Sequence, residues 1–88
     1  MDAALIEHER QRRAALCHAF SLYISQNFQF DTKGKLRRGT VQKEIADYFD
    51  ITINTTFCQL VNECMEAQGF KRTEIRGSYY YKNIRPRT

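Results

Sequence analysis

Phe57, Leu60, Val61, Cys64 and Met65 fall at i, i+3, i+4, i+7 and i+8, and the run that carries them stops at Gly69. That spacing puts all of them on one side of an α-helix, so residues 55–68 reach stability only by laying the stripe on other elements. Asn54 or Thr55 is placed as the N-cap, and Gly69 as the left-handed C′ residue that ends the helix. The period then changes. Residues 70–75 and 79–84 are rich in aromatic and β-branched side chains, and they flank Arg76-Gly77-Ser78, a three-residue hairpin loop whose Gly77 takes a positive φ. A helix with one face to bury, followed directly by a β-hairpin, commits the chain to an α+β arrangement.

The upstream residues supply what the stripe packs on. From Asp2 to about Asn27 there is neither Gly nor Pro, and Asp2 is placed to cap the start of a first helix. Residues 6–13 are largely polar, whereas Leu16, Ala19, Phe20, Tyr23 and Ile24 recur at helical spacing. The organisation that follows is a polar helical extension over 1–13 and a folded domain over 14–88. Asp31-Thr-Lys-Gly-Lys35 reads as a turn, and Leu36-Arg37-Arg38-Gly39 as a short extended piece. Thr40 then caps a second helix whose Val41, Ile45, Tyr48 and Phe49 keep one side apolar. In the last strand, alternation puts Tyr79 and Tyr81 on one side and Tyr80, Lys82 and Ile84 on the other, with Pro86 ending it. At least two of the three tyrosines are expected to cover the core; the other use of such a run is stacking on unpaired bases.

Charge is distributed unevenly. Residues 69–88 hold six Lys/Arg against one Glu, a net +5, which leaves −1 for the preceding residues of a chain whose formal total is +4. A second basic cluster, Lys33, Lys35, Arg37, Arg38 and Lys43, surrounds the start of the second helix. Clustered cations favour a polyanion through phosphate contacts and counterion release, whereas a solvated basic surface serves solubility alone. Arg10, Arg12 and Arg13 on the first helix read as a solvated face, with extra phosphate contacts as the alternative.

Other classes of function find little purchase. With 88 residues the chain makes one domain with a modest core, too small for a catalytic cleft beside a regulatory module. It has no phosphate-binding glycine loop, no supported Ser/His/Asp set and no carboxylate pair in an apolar setting, so no enzyme activity is expected. Cys17, Cys58 and Cys64 are odd in number and lack paired close spacing, which reads as reduced thiols, with Cys64 filling core. They do not cluster with His8 or His18 at zinc-ligand spacing. No run is long and apolar enough for a bilayer and the first residues lack a secretory core, so the expectation is an intracellular protein without membrane, metal, cofactor or small-molecule ligand.

The order helix, short strand, helix, helix, hairpin is that of a winged helix-turn-helix: three helices with a C-terminal β-hairpin wing. Here Gly69-Phe-Lys-Arg72 with Arg76-Gly-Ser-Tyr-Tyr-Tyr-Lys-Asn-Ile-Arg85-Pro86 resembles the end of the regulatory factor X type DNA-binding domain, where a basic hairpin closes with a tyrosine-rich strand. It is also similar to the winged helix at the C-terminus of phage and poxvirus primase-helicases. The likeness covers roughly residues 14–86 in order of elements and the last twenty or so in residue identity. The first resemblance implies a wing that reads the major groove, with Lys71, Arg72, Arg76, Lys82 and Arg85 at its basic positions and Arg76 at the loop tip foremost.

From the residues themselves, the outward positions of the third helix are Thr55, Thr56, Gln59, Asn62, Glu63 and Glu66. Gln59 and Asn62 suit adenine, and Thr55 and Thr56 with the free amides of the helix start suit a phosphate. Glu63 and Glu66 repel a duplex, so only the first turns can approach one. Arg37, Arg38 and Lys43 are the expected phosphate contacts beside them, and Tyr79 completes the surface. The expected partner is double-stranded DNA, in the nucleus. The alternative is contact with other protein subunits through Asp47, Asp50, Glu63 and Glu66, and a third reading is RNA or single strands on the tyrosines.

Overall fold

The computed structural model describes residues 3–87, and the capping role expected of Asp2 lies outside them. In chain order the elements are α1 (Ala3–Asn27), β1 (Phe28–Arg37), α2 (Arg38–Phe49), α3 (Thr55–Ala67), β2 (Arg72–Ile75) and β3 (Ser78–Pro86). Three helices and a three-stranded antiparallel sheet of order β1-β3-β2 make this an α+β fold. Among the described residues no helix is long and apolar enough to cross a membrane.

The stripe of α3 does what its spacing requires. Phe57, Leu60, Val61, Cys64 and Met65 are all buried, against Phe20, Tyr23 and Ile24 of α1, Val41 and Ile45 of α2, and Tyr81 and Ile84 of β3. Full burial of such side chains stabilises by about 1.5–3 kcal/mol each, which makes this cluster the main force holding the helices to the sheet. Asn54 caps α3, its Oδ1 accepting from the Phe57 amide at 2.8 Å, and Gly69 ends the turn with φ +90°. The Cys17 and Cys64 sulfurs touch at 3.2 Å across α1 and α3, and burial, followed by that contact, pushes the Cys64 thiol up to about 12. The primary structure offers no sign of this pairing.

Along α1, residues 10–15 are exposed and packing begins at Leu16, and one unbroken helix carries both parts, as the absence of Gly and Pro leads one to expect. Tyr48 departs from the apolar side expected of α2. It is 68% exposed, because Val41, Ile45 and Ala46 form the inner line and leave it on the flank, where its ring lies 4.6 Å from that of Tyr23.

The larger corrections concern the sheet. Asp31–Lys35 is not a turn between elements: it lies inside β1, a strand of ten residues that joins α1 and α2 directly. Pairing with β3 runs through Phe30↔Ile84, breaks, and resumes at Lys35↔Lys82, so the four residues between bulge opposite Asn83 alone. The Lys33 amide donates to Asp31 Oδ1 at 2.9 Å and gives the bulge its compact shape. Gly34 sits against β3 so closely that a Cβ there would run into the Ile84 carbonyl oxygen.

On β3 the same irregularity takes Asn83 to φ +64°, and strict alternation fails there. Tyr81 and Ile84, expected on opposite sides, are therefore both fully buried, and Tyr81 is the one tyrosine of the run that enters the core. The hairpin loop is Arg76-Gly77 alone, with φ of 52° and 81°, rather than three residues. Both positive values fit a two-residue type I′ connection. Thr40 does not cap α2. The helix starts at Arg38 as soon as β1 ends, and its N-cap residue, Arg37, makes no side-chain capping bond.

Candidate nucleic-acid interface

Because α2 begins immediately at the end of β1, no side chain closes its N-terminal amides. The space between this end and β3 is an open groove of about 450 Å3 lined by Arg37, Gly39, Thr40, Lys43, Ser78 and Tyr79. Its lining contains two cations and no carboxylate. The Arg38 guanidinium lies 4.4 Å from the centroid of the Tyr79 ring, which is 54% exposed, so the ring holds a third cation at the same end of the helix. Arg37, Arg38, Lys43 and Tyr79, four of the residues expected to contact DNA, thus converge.

Near its capped start α3 exposes Thr55, Thr56 and Gln59 to solvent. Thr56 lines a separate groove of about 390 Å3 between α1 and α3, whose wall includes Arg12, Arg13, Leu16 and Leu60. Asn62 is placed differently from expectation. Its Oδ1 accepts from the Tyr81 hydroxyl at 2.5 Å, and Gln42 Nε2 donates to the same hydroxyl at 3.1 Å. A phenol buried in the core requires such partners, and Gln42 is itself held from α3, its Oε1 accepting from the Cys58 thiol and its Nε2 reaching Asn62 Oδ1, both at 3.5 Å. Burial raises the Tyr81 pKa to about 12, against the opposing pull of Gln42 and the nearby Arg38 and Arg72 charges. The Asn62 side-chain oxygen is thus engaged inside the protein.

The carboxylates of α3 are neutralised in place. Glu63 receives both hydrogen bonds of an Arg13 nitrogen at 2.9 and 3.1 Å, and Glu66 pairs with Arg72 at 2.7 Å. All four side chains are about half exposed, so each pair contributes roughly 0–1 kcal/mol and matters chiefly for the local field. The repulsion expected along α3 is correspondingly reduced.

The same pairings change how the C-terminal cations are read. Arg72 serves Glu66, Arg85 lies 3.7 Å from Asp31, and the Arg87 guanidinium donates to the carbonyls of Ser25 and Phe28 at 3.0 Å each. Arg87 is an anchor for the chain end. Beyond the last β1 partner, Arg37↔Tyr80, only Glu74-Ile75, Ser78-Tyr79 and the Arg76-Gly77 turn project, so the tip offers Arg76 beside Glu74. Lys71 and Lys82 lie farther back, where β1 flanks the hairpin. The tip is therefore not the centre of positive charge. Gly39, Thr40 and Ser78, expected only in structural roles, also line the groove, because the abrupt junction of β1 and α2 faces the start of β3.

The chain matches no family model, no curated protein and no solved structure.

Proposed function

We propose that this chain is a winged-helix module that binds double-stranded DNA. The element order with sheet order β1-β3-β2 supports the winged-helix reading, with the β2-β3 hairpin as a short wing. The observation that carries the binding reading is the carboxylate-free groove that joins Arg37 and Lys43 to the uncapped start of α2 and to Tyr79 beneath Arg38.

In this reading a backbone phosphate sits at the groove, held by the Arg37 and Lys43 charges and the amide end of the helix. The first turns of α3 then face the neighbouring DNA groove, with Gln59 positioned for a base edge and Thr55 and Thr56 for the backbone. Arg76 reaches a further phosphate from the wing tip. Tyr79 supplies a firm seat for Arg38. The protein-docking alternative loses half of its acidic patch, since Glu63 and Glu66 are already matched by Arg13 and Arg72.

Fluorescence anisotropy with a labelled duplex at low salt tests the proposal. Arg37→Ala with Lys43→Ala is expected to weaken binding and to lower the log-log salt slope by about 2, at roughly 0.9 per phosphate contact. Arg85→Ala, which removes a cation facing Asp31, is expected to change affinity far less. Absence of duplex binding at low salt, or indifference to the double substitution, overturns the reading.

A further inference from the structure

The sheet face turned away from the helices carries a pattern independent of the α2 groove. Lys35 of β1 is the direct cross-strand partner of Lys82 of β3, and the Lys82 amide donates to the Lys71 carbonyl at 2.8 Å, which sets Lys71 opposite Lys82 on the other side. One rung of the sheet is therefore Lys-Lys-Lys. Two residues along the strands, on the same face, the next rung is Arg37-Tyr80-Thr73. All four cations are exposed, and none takes part in an ion pair among the described residues. Glu74, the one carboxylate of the hairpin, belongs to the opposite face with its partner Tyr79.

Like charges directly opposite each other destabilise a sheet, whereas opposite charges in the same position stabilise it. Here three line up without a counter-charge, around an aromatic ring over which the Lys35 ammonium sits at 5.0 Å from the centroid. We propose that this face is a second nucleic-acid surface that takes a single strand. Neighbouring strands stand about 4.8 Å apart, so the lysine rung spreads its ammonium groups over roughly 10 Å, a width that long side chains can adjust to successive phosphates of a flexible chain. Tyr80, one rung away, offers its ring to an unpaired base once Lys35 swings onto a phosphate. A duplex keeps its bases stacked inside and touches a flat face along one backbone only, which leaves Tyr80 without a partner. The combination of a flat face, a cation row and an aromatic ring therefore favours the single strand.

This surface goes beyond the duplex site and stands without it, meeting it only at Arg37. The probe is a labelled oligothymidylate of about a dozen nucleotides, within the usual site size for single-strand platforms. Lys35→Gln with Lys71→Gln and Lys82→Gln is expected to weaken its binding at least tenfold and to lower the salt slope by about 2, at roughly 0.7 per phosphate. Tyr80→Leu is expected to weaken it about fivefold to hundredfold with little effect on salt dependence. Lys43→Ala should weaken duplex binding and leave the oligothymidylate within twofold of wild type, so the two sites fail separately. Amide shifts of the unmodified protein on titration with the oligothymidylate supply a check that requires no variant: residues 35, 71, 80 and 82 should move most. No oligothymidylate binding at low salt, shifts confined to α2 and α3, or equal loss of duplex and single-strand binding in the triple variant would each overturn the proposal.

Discussion

The Tyr81 hydroxyl donates a 2.5 Å hydrogen bond to Asn62 Oδ1 across the seam between β3 and α3, while Gln42 of α2 donates to the same hydroxyl. One phenol thus joins three elements at the bottom of the core. Tyr81→Phe keeps the ring but removes both hydroxyl bonds and leaves Gln42 Nε2 and Asn62 Oδ1 only their 3.5 Å contact with each other, and is expected to cost about 1–2 kcal/mol. Urea denaturation should show a lower midpoint with an unchanged slope, the signature of lost stability without lost compactness. A midpoint equal to that of wild type would mean that water substitutes for the hydroxyl.

Alkaline pH attacks the same site. Burial raises both Tyr81 and Tyr23 from the ordinary 10.0 to about 12, Tyr23 with further help from its 3.1 Å hydrogen bond to Glu44. A folded-state pKa above the unfolded one means that the fold favours the protonated phenol. The stability this contributes is intact below pH 10 and is lost as pH rises from 10 through 12. Denaturation midpoints measured between pH 8 and 12 should fall steeply in that upper window, and Tyr81→Phe should flatten the fall.

Gly34 is required by the bulge of β1. An added methyl would collide with the Ile84 carbonyl oxygen and lie 2.8 Å from its carbon, both rigid backbone atoms. Gly34→Ala is expected to destabilise by about 1–3 kcal/mol, the range for overpacking. Gly39→Ala, where nothing lies within 4 Å, serves as the control, and thermal melts of the two should separate clearly.

Arg76 occupies a left-handed conformation, φ 52°, in a turn that prefers Asn-Gly. Arg76→Asn is expected to stabilise the free protein by a few tenths to about 1 kcal/mol, because Asn tolerates that region better. It should at the same time weaken duplex binding and lower the salt slope by about 0.9. Greater stability with unaltered binding would show that the tip makes no contact.

What could be read from the residues alone follows locality. The α3 stripe, its Asn54 cap and its Gly69 stop depend on neighbours a few positions away, and they stand where spacing puts them. The length of β1 does not depend on its own residues in this way: Phe28–Phe30 becomes strand because β3 pairs with it, and Asp31–Gly34 bulges because the pairing on both sides of it is fixed by residues far along the chain. Asn83, whose left-handed backbone resets the alternation of β3, responds to that same bulge. The candidate site divides likewise. Arg37, Arg38 and Lys43 stand close together in the chain and remain together in space. Arg72 and Arg85 are matched by carboxylates, and Asn62 is claimed by a tyrosine nineteen positions away, because tertiary packing brings those groups within reach.

The molecule measures 47 × 28 × 22 Å, and α1, with 25 residues at about 1.5 Å each, is its longest element. A body of that aspect ratio rotates in solution faster about its long axis than end over end. The N–H bonds of α1 share one direction, that of the helix, and so sense a single blend of the two rates, whereas those of the sheet and turns point several ways. Nitrogen-15 relaxation would therefore separate rod from sheet without any ligand, and the ratio of the two classes gives a ruler for how straight the helix stays in water.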